Sequence, residues 1–230
     1  MKKLAICLLA LLLMLASVSC HTEKPSDETE SDGETEEVTL GPEFDGIETG
    51  LPFGENESAL WKLNGGAMVV FGEGPVSAAS ASYYPWNEIS ERINRITVTE
   101  GISYVGAYAF YGLDYLVELT FESGSVSSLG MACIGDNCHL LRVDLGDSLR
   151  EIPMELFVRC YDLEEVTIPV TVTRIGSFAF DKCESLKTIR YEGSEEEWNA
   201  IKIELGNAEL LAAEVIFHCK DAEGTKGATE

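Results

Sequence analysis

Five stretches of the chain alternate apolar and polar residues in the same way: INRITV from Ile93, LVELTF from Leu116, LLRVDL from Leu140, LEEVTI from Leu163 and LKTIRY from Leu186. Period-two alternation predicts short strands with one buried face. Their starts lie 23, 24, 23 and 23 residues apart. Each of the first four strands is followed by an aliphatic residue (Val105, Leu129, Ile152, Ile175) and, five places on, by a bulky apolar one (Phe110, Ile134, Phe157, Phe180). The one extra residue of the second unit falls in the GSVS stretch, 124–127, where a loop absorbs it.

A repeat of this length cannot cover its own apolar face, so stacked copies must share a continuous core. The expected fold is an α/β leucine-rich-repeat right-handed solenoid: a parallel sheet on the concave face, short helices or turns on the convex face. Residues 93–191 hold the five repeats. Residues 51–92 are expected to form a small β-rich cap, with a hairpin turn at Asn64-Gly65. Residues 192–218 are expected to form a helix-strand cap, with Ser194 and Glu197 as a capping box. Trp61, Trp86 and Trp198 fall in these terminal segments, where bulky side chains cover solenoid ends.

The fourth repeat, LEEVTIPVTVTRIGSFAFDKCESL, closely resembles the BspA-type leucine-rich repeat of bacterial surface proteins. ITVTEGISYVGAYAFYGL is similar to the same unit, YEGSEEEWNAIKI through VIFH to that family's closing segment, and ALWKLNGGAMVVFGEG with YPW to its leading one. The second repeat departs with GMACIGDNC, and the third with Pro153 and Met154-Glu155-Leu156. The resemblance implies adhesion to host matrix proteins or to other cells.

Met1-Lys2-Lys3, the apolar run Leu4 to Ala16 and Ser17-Val18-Ser19 read as a signal peptide over 1–19. Cys20 directly after the small residues resembles a bacterial lipobox, although Ser17 stands where Leu is commonest. The resemblance implies that Cys20 is lipidated and anchors an exported protein at the cell membrane or surface; an ordinary secretory signal is the alternative. Residues 20–50 read as a disordered tether, because 21–50 hold eleven acids against Lys24 and few large apolar groups. Residues 219–230 read as a flexible tail.

A net charge of −24 makes nucleic acid an improbable partner, since binding it needs clustered Lys and Arg. Contact with the membrane is expected through the lipid anchor only. Cys133, Cys138, Cys160, Cys183 and Cys219 show no metal-type spacing, and Cys160 and Cys183, three residues after Phe157 and Phe180, are expected to stack as buried thiols. His21, His139 and His218 have no HExxH spacing, and no GxSxG elbow or Walker loop occurs. The chain is therefore read as a non-enzyme with no catalytic residue, metal or cofactor; an unrecognised hydrolase is the remote alternative.

Binding is expected on the concave sheet, where Thr97, Thr120, Asp144, Thr167 and Arg190 form an outward row. Two places earlier Arg95, Glu118, Arg142, Glu165 and Thr188 form a second row whose alternating charges are expected largely to neutralise one another. The expected partner of a monomeric protein is another protein or surface macromolecule. The alternative is an envelope scaffold that organises the cell's own surface components.

Overall fold

The chain divides into two units, Met1–Val38 and Thr39–Glu230. The computed structural model describes residues 47–50, 59–78 and 84–218, all in the second unit. The expected signal peptide, Cys20, the tail and all but the last four residues of the tether lie outside the described residues. Ile47–Gly50 is a strand, β1, which corrects the tether reading at its end. It pairs antiparallel with β2 (Ala59–Asn64), a partner that acidic composition alone does not reveal.

β2 turns into β3 (Ala67–Gly72) through Gly65-Gly66, with Asn64 paired to Ala67. The hairpin turn therefore sits one residue later than expected. A two-residue hairpin loop of this kind needs positive φ at both central positions, and Gly65 and Gly66 have φ of 52° and 82°. From β3 onward the main sheet is parallel: β3, β5 (Arg95–Val98), β7 (Glu118–Phe121), β9 (Arg142–Asp144), β11 (Glu165–Ile168), β13 (Thr188–Tyr191) and β15 (Glu214–Phe217). The two caps thus donate β3 and β15 to the sheet that the five repeats build.

A second column of short strands follows the first. It consists of β4 (Gly74–Val76), β6 (Ile102–Val105) and β8 (Ser128–Leu129), then separately β10 (Glu151–Ile152), β12 (Arg174–Ile175) and β14 (Lys202–Ile203). The break has a covalent cause. Gly106, Gly130 and Gly176 each donate a backbone N–H to the preceding coil, at 2.7, 2.8 and 2.8 Å. Pro153 occupies that place in the third repeat and has no N–H to give.

On the convex side a third column of hydrogen bonds runs the other way. Tyr108, Phe110 and Gly112 donate forward to Met131, Cys133 and Gly135 of the next coil, at 3.3, 2.8 and 3.1 Å. Glu155, Phe157 and Arg159 do the same to Ser177, Ala179 and Asp181. This geometry forces two left-handed residues into every turn: Tyr108, Ala132, Glu155 and Phe178 at one place, Gly112, Asp136, Arg159 and Lys182 at the other. Non-glycine residues hold that conformation only where the surroundings over-determine it, and three inter-coil bonds per turn do so here.

Inside, Ile96, Leu119, Val143, Val166 and Ile189 stack as one buried row, and Val105, Leu129, Ile152 and Ile175 as another. Phe157 and Phe180 lie 5.0 Å apart between centroids, and Trp86 stands in front of Phe110 at 5.4 Å as the first member of that column. Each buried Leu or Phe contributes roughly 1.5–3 kcal/mol, so the core is a sum over coils. At the far end Ser194 and Glu197 form the expected capping box of helix α1 (Glu195–Ala200), and Trp198 packs edge-on against Tyr191 at 5.2 Å.

Candidate functional site

Strand register decides which side chains share the concave surface. Thr97 pairs with Thr120, Thr120 with Asp144, Asp144 with Thr167, and Thr167 with Arg190. All five are partly exposed, in one unbroken line across five strands. The line also runs into both caps: Lys62 and Val69 extend it before Thr97, and Ile216 after Arg190. Lys62 lies over the ring of Phe71 at 5.5 Å, a cation–π contact at the edge of the surface. The alternation in WKLN and AMVVF carries the signal that would have placed Lys62 and Val69 there.

Two members of the row serve the fold as well. Asp144 accepts a hydrogen bond from the N–H of Gly146 at 2.9 Å, which turns the chain out of the strand. Arg190 pairs through Nε with Glu165 at 2.9 Å. The hydroxyls of Thr97, Thr120 and Thr167 have no side-chain partner among the described residues, so these three present unspent donors and acceptors.

The charged row departs from full mutual neutralisation. Arg95 Nε meets Glu118 at 2.9 Å, but Glu165 turns to Arg190 in the other row. Arg142, in register between Glu118 and Glu165, forms no ion pair among the described residues. Glu165 lies opposite Arg142 in the register yet pairs with Arg190, diagonally across on the next strand. Lys187 and Glu164 pair at 2.6 Å on the flank, and the Lys187 hydrogen bond holds the Glu164 carboxyl below its ordinary range. Such exposed pairs contribute about 0–1 kcal/mol each.

Other chemistry-bearing groups are spread through the scaffold. Cys160 and Cys183 are free and stacked, their thiols donating to the carbonyls of Ile134 and Phe157 at 3.3 and 3.2 Å. Burial pushes Cys133 and Cys160 up to about 12 and Cys183 well above its usual value, which suits small apolar groups and not nucleophiles. His139 meets Asp162 at 3.0 Å on the exposed flank. Among the described residues no cluster of His, Cys, Asp and Glu could hold a metal ion, and no helix is long and apolar enough to cross a membrane.

Parallel strands repeating every 23 or 24 residues, joined by compact turns, define a leucine-rich-repeat solenoid. Residues 86–200, half of the chain, match the BspA type leucine rich repeat region in six copies, and the chain belongs to that family. No curated protein matches it. A leucine-rich repeat protein from Eubacterium ventriosum is 19% identical with a TM-score of 0.51, over 66% of this chain and 45% of that one. A leucine-rich repeat protein of T. pallidum is 18% identical with a TM-score of 0.42, over 72% and 64%. A leucine rich cell surface protein from Faecalibacterium prausnitzii is 19% identical with a TM-score of 0.40, over 63% and 40%. The chain thus spans less than half the length of the first of these, which shares its fold. Leucine-rich repeats generally serve as protein-interaction modules.

Proposed function

We propose that this protein is an exported, surface-displayed adhesion module that binds another protein through its concave sheet and catalyses no reaction. The observation that supports the reading is the in-register row Thr97, Thr120, Asp144, Thr167 and Arg190, with three hydroxyls left over by the fold. Sheets about 4.8 Å per strand make this surface roughly 20 Å across, the width of a peptide or protein footprint and too flat for a small-molecule pocket. The lipid on Cys20 and the acidic segment after it would anchor the domain and hold it clear of the membrane.

Purified protein is screened against host matrix proteins and bacterial surface proteins. The combined variant Thr120→Ala, Asp144→Asn, Thr167→Ala, which keeps the acceptor for Gly146, should weaken capture about tenfold. Unchanged capture removes the concave face from the reading. Crosslinking in intact cells that recovers only envelope proteins of the same cell favours a scaffold instead. Metabolic labelling with a palmitate analogue, lost in Cys20→Ser, tests the anchor.

A further inference from the structure

The convex edge of the last coils carries an apolar strip that the concave reading leaves unused. Met131, Met154, Ser177 and Leu205 accept through their carbonyls from Tyr108, Ala132, Glu155 and Phe178 of the preceding coils, so Met154 and Leu205 hold matching places, and Phe178 stands one residue past the Ser177 between them. Met154, Phe178 and Leu205 are 42%, 39% and 66% exposed. Three coil spacings, from the half-buried Met131 to Leu205, make the strip about 15 Å long.

Phe178 is held out deliberately. It sits in the left-handed region at φ 57°, and its ring lies across Gly206, itself at φ 79°. A Cβ on Gly206 would fall 2.2 Å from Cδ1 of that ring. A glycine at this place therefore lets the ring lie flat against the backbone just after Leu205. A pre-positioned aromatic flanked by flexible Met and Leu side chains is the composition of an interaction surface.

Charge selects the occupant. The turns bearing the strip hold Glu155 and Asp181, neither of them paired to a cation among the described residues, against Lys182 and an Arg159 that is paired to Asp136, in a chain of net charge −24. A second copy of the chain or an anionic lipid surface would be repelled. We propose that the strip Met154–Phe178–Leu205 is a second docking surface, on the convex edge, for a cationic amphipathic segment of a partner protein.

The test uses an eighteen-residue Leu/Lys amphipathic helical peptide and its Leu/Glu counterpart, titrated by fluorescence anisotropy. The variant pair Phe178→Asn and Leu205→Ser is chosen because Asn suits the left-handed backbone, so the fold is kept. The Leu/Lys peptide should bind and the Leu/Glu peptide should not, with affinity falling about tenfold in Phe178→Asn/Leu205→Ser. The concave variant Thr120→Ala/Asp144→Asn/Thr167→Ala should bind the Leu/Lys peptide as the wild type does, which separates this surface from the concave one. Equal binding by wild type and strip variant, or loss only in the concave variant, overturns the proposal. Binding to phosphatidylglycerol vesicles that disappears in the strip variant overturns it in favour of a lipid surface.

Discussion

Trp86 donates its indole Nε1–H to the carbonyl oxygen of Ala109 at 2.6 Å, from one coil to the next. The convex column is directional, each coil giving N–H groups forward, so its first coil exposes carbonyls and its last exposes N–H groups. Tyr84 and Trp86 supply the missing donors at the start, to Ala107 at 3.3 Å and to Ala109. Leu205 continues the column at the end with its carbonyl. Asn207 and Glu209 then supply side-chain acceptors, to the N–H groups of Phe180 and Lys182 at 3.1 and 3.3 Å. The caps are matched to the polarity of what they close.

Trp86→Phe keeps an aromatic in the column in front of Phe110 but leaves the Ala109 carbonyl buried without its donor. An unsatisfied buried group costs about 1–3 kcal/mol. Urea unfolding should report a loss in that range. A change under about 0.5 kcal/mol, the ordinary surface value, would show that the bond does not hold the cap.

Asn137 is fully buried in the second coil. Its Oδ1 accepts from Leu113 N at 2.7 Å, and its Nδ2 donates to the carbonyls of Phe110 and Ile134 at 2.7 and 2.6 Å. Asn137→Leu would orphan the Leu113 N–H and the Phe110 carbonyl and leave the Ile134 carbonyl only the weak Cys160 thiol donor, a cost on the order of 3 kcal/mol. Thermal unfolding of this variant should fall well below that of Asn207→Leu, whose partners lie nearer the open end of the solenoid. Equal midpoints would mean that distance from the end is not what sets the cost.

What could be read from the sequence was whatever repeats by side-chain type: the strand rows, the Phe column, the thiol pair and the capping box. Left-handed turns were not legible, because Tyr108, Glu155 and Phe178 are residues that local preference keeps out of that region. Only the inter-coil bonds hold them there. The extra coil at each end was hidden by spacing, since Ala67 pairs with Arg95 and Thr188 with Glu214, offsets of 28 and 26 residues against 23 or 24 within the repeats. On the candidate site, the row followed from alternation alone. The pairing of Glu165 with Arg190 on the diagonal, and not with Arg142 opposite it, is a choice of side-chain conformation, which no residue pattern encodes.

Pro153 separates β8 from β10, and Pro153→Ala restores the N–H that Gly130 and Gly176 use. The expectation is a new amide facing the Leu129 carbonyl, visible as slowed hydrogen exchange at residue 153. An amide there that exchanges as fast as one in an exposed loop would show that the break lies in backbone shape and not in the missing donor.

Cys133, Cys160 and Cys183 should resist iodoacetamide in the native protein, since their thiols are buried and their ionisation is pushed up. Labelling followed by peptide mass spectrometry should find these three modified only in denaturant. Fast native labelling of Cys160 would mean that the coils open there without global unfolding.

Glu204 closes the second strand column at the C-terminal end. It accepts from Arg174 Nη2 at 2.7 Å and from Ser177 Oγ at 2.9 Å, and Arg174 also pairs with Glu151. The Arg174 hydrogen bond, then that of Ser177, holds the Glu204 carboxyl down to about 2. A carboxylate whose pKa is depressed on folding contributes stability that is fully present above its ordinary value, near 4.5, and is lost as pH falls through about 2. Glu204→Gln removes that contribution at all pH values. The stability difference between wild type and variant should therefore be constant from pH 7 to about 5 and shrink steadily below 4.5, as measured by urea midpoints at each pH. A difference that persists unchanged down to pH 3 would show that the variant acts through packing and not through the charge, because only the ionised form is favoured by Arg174.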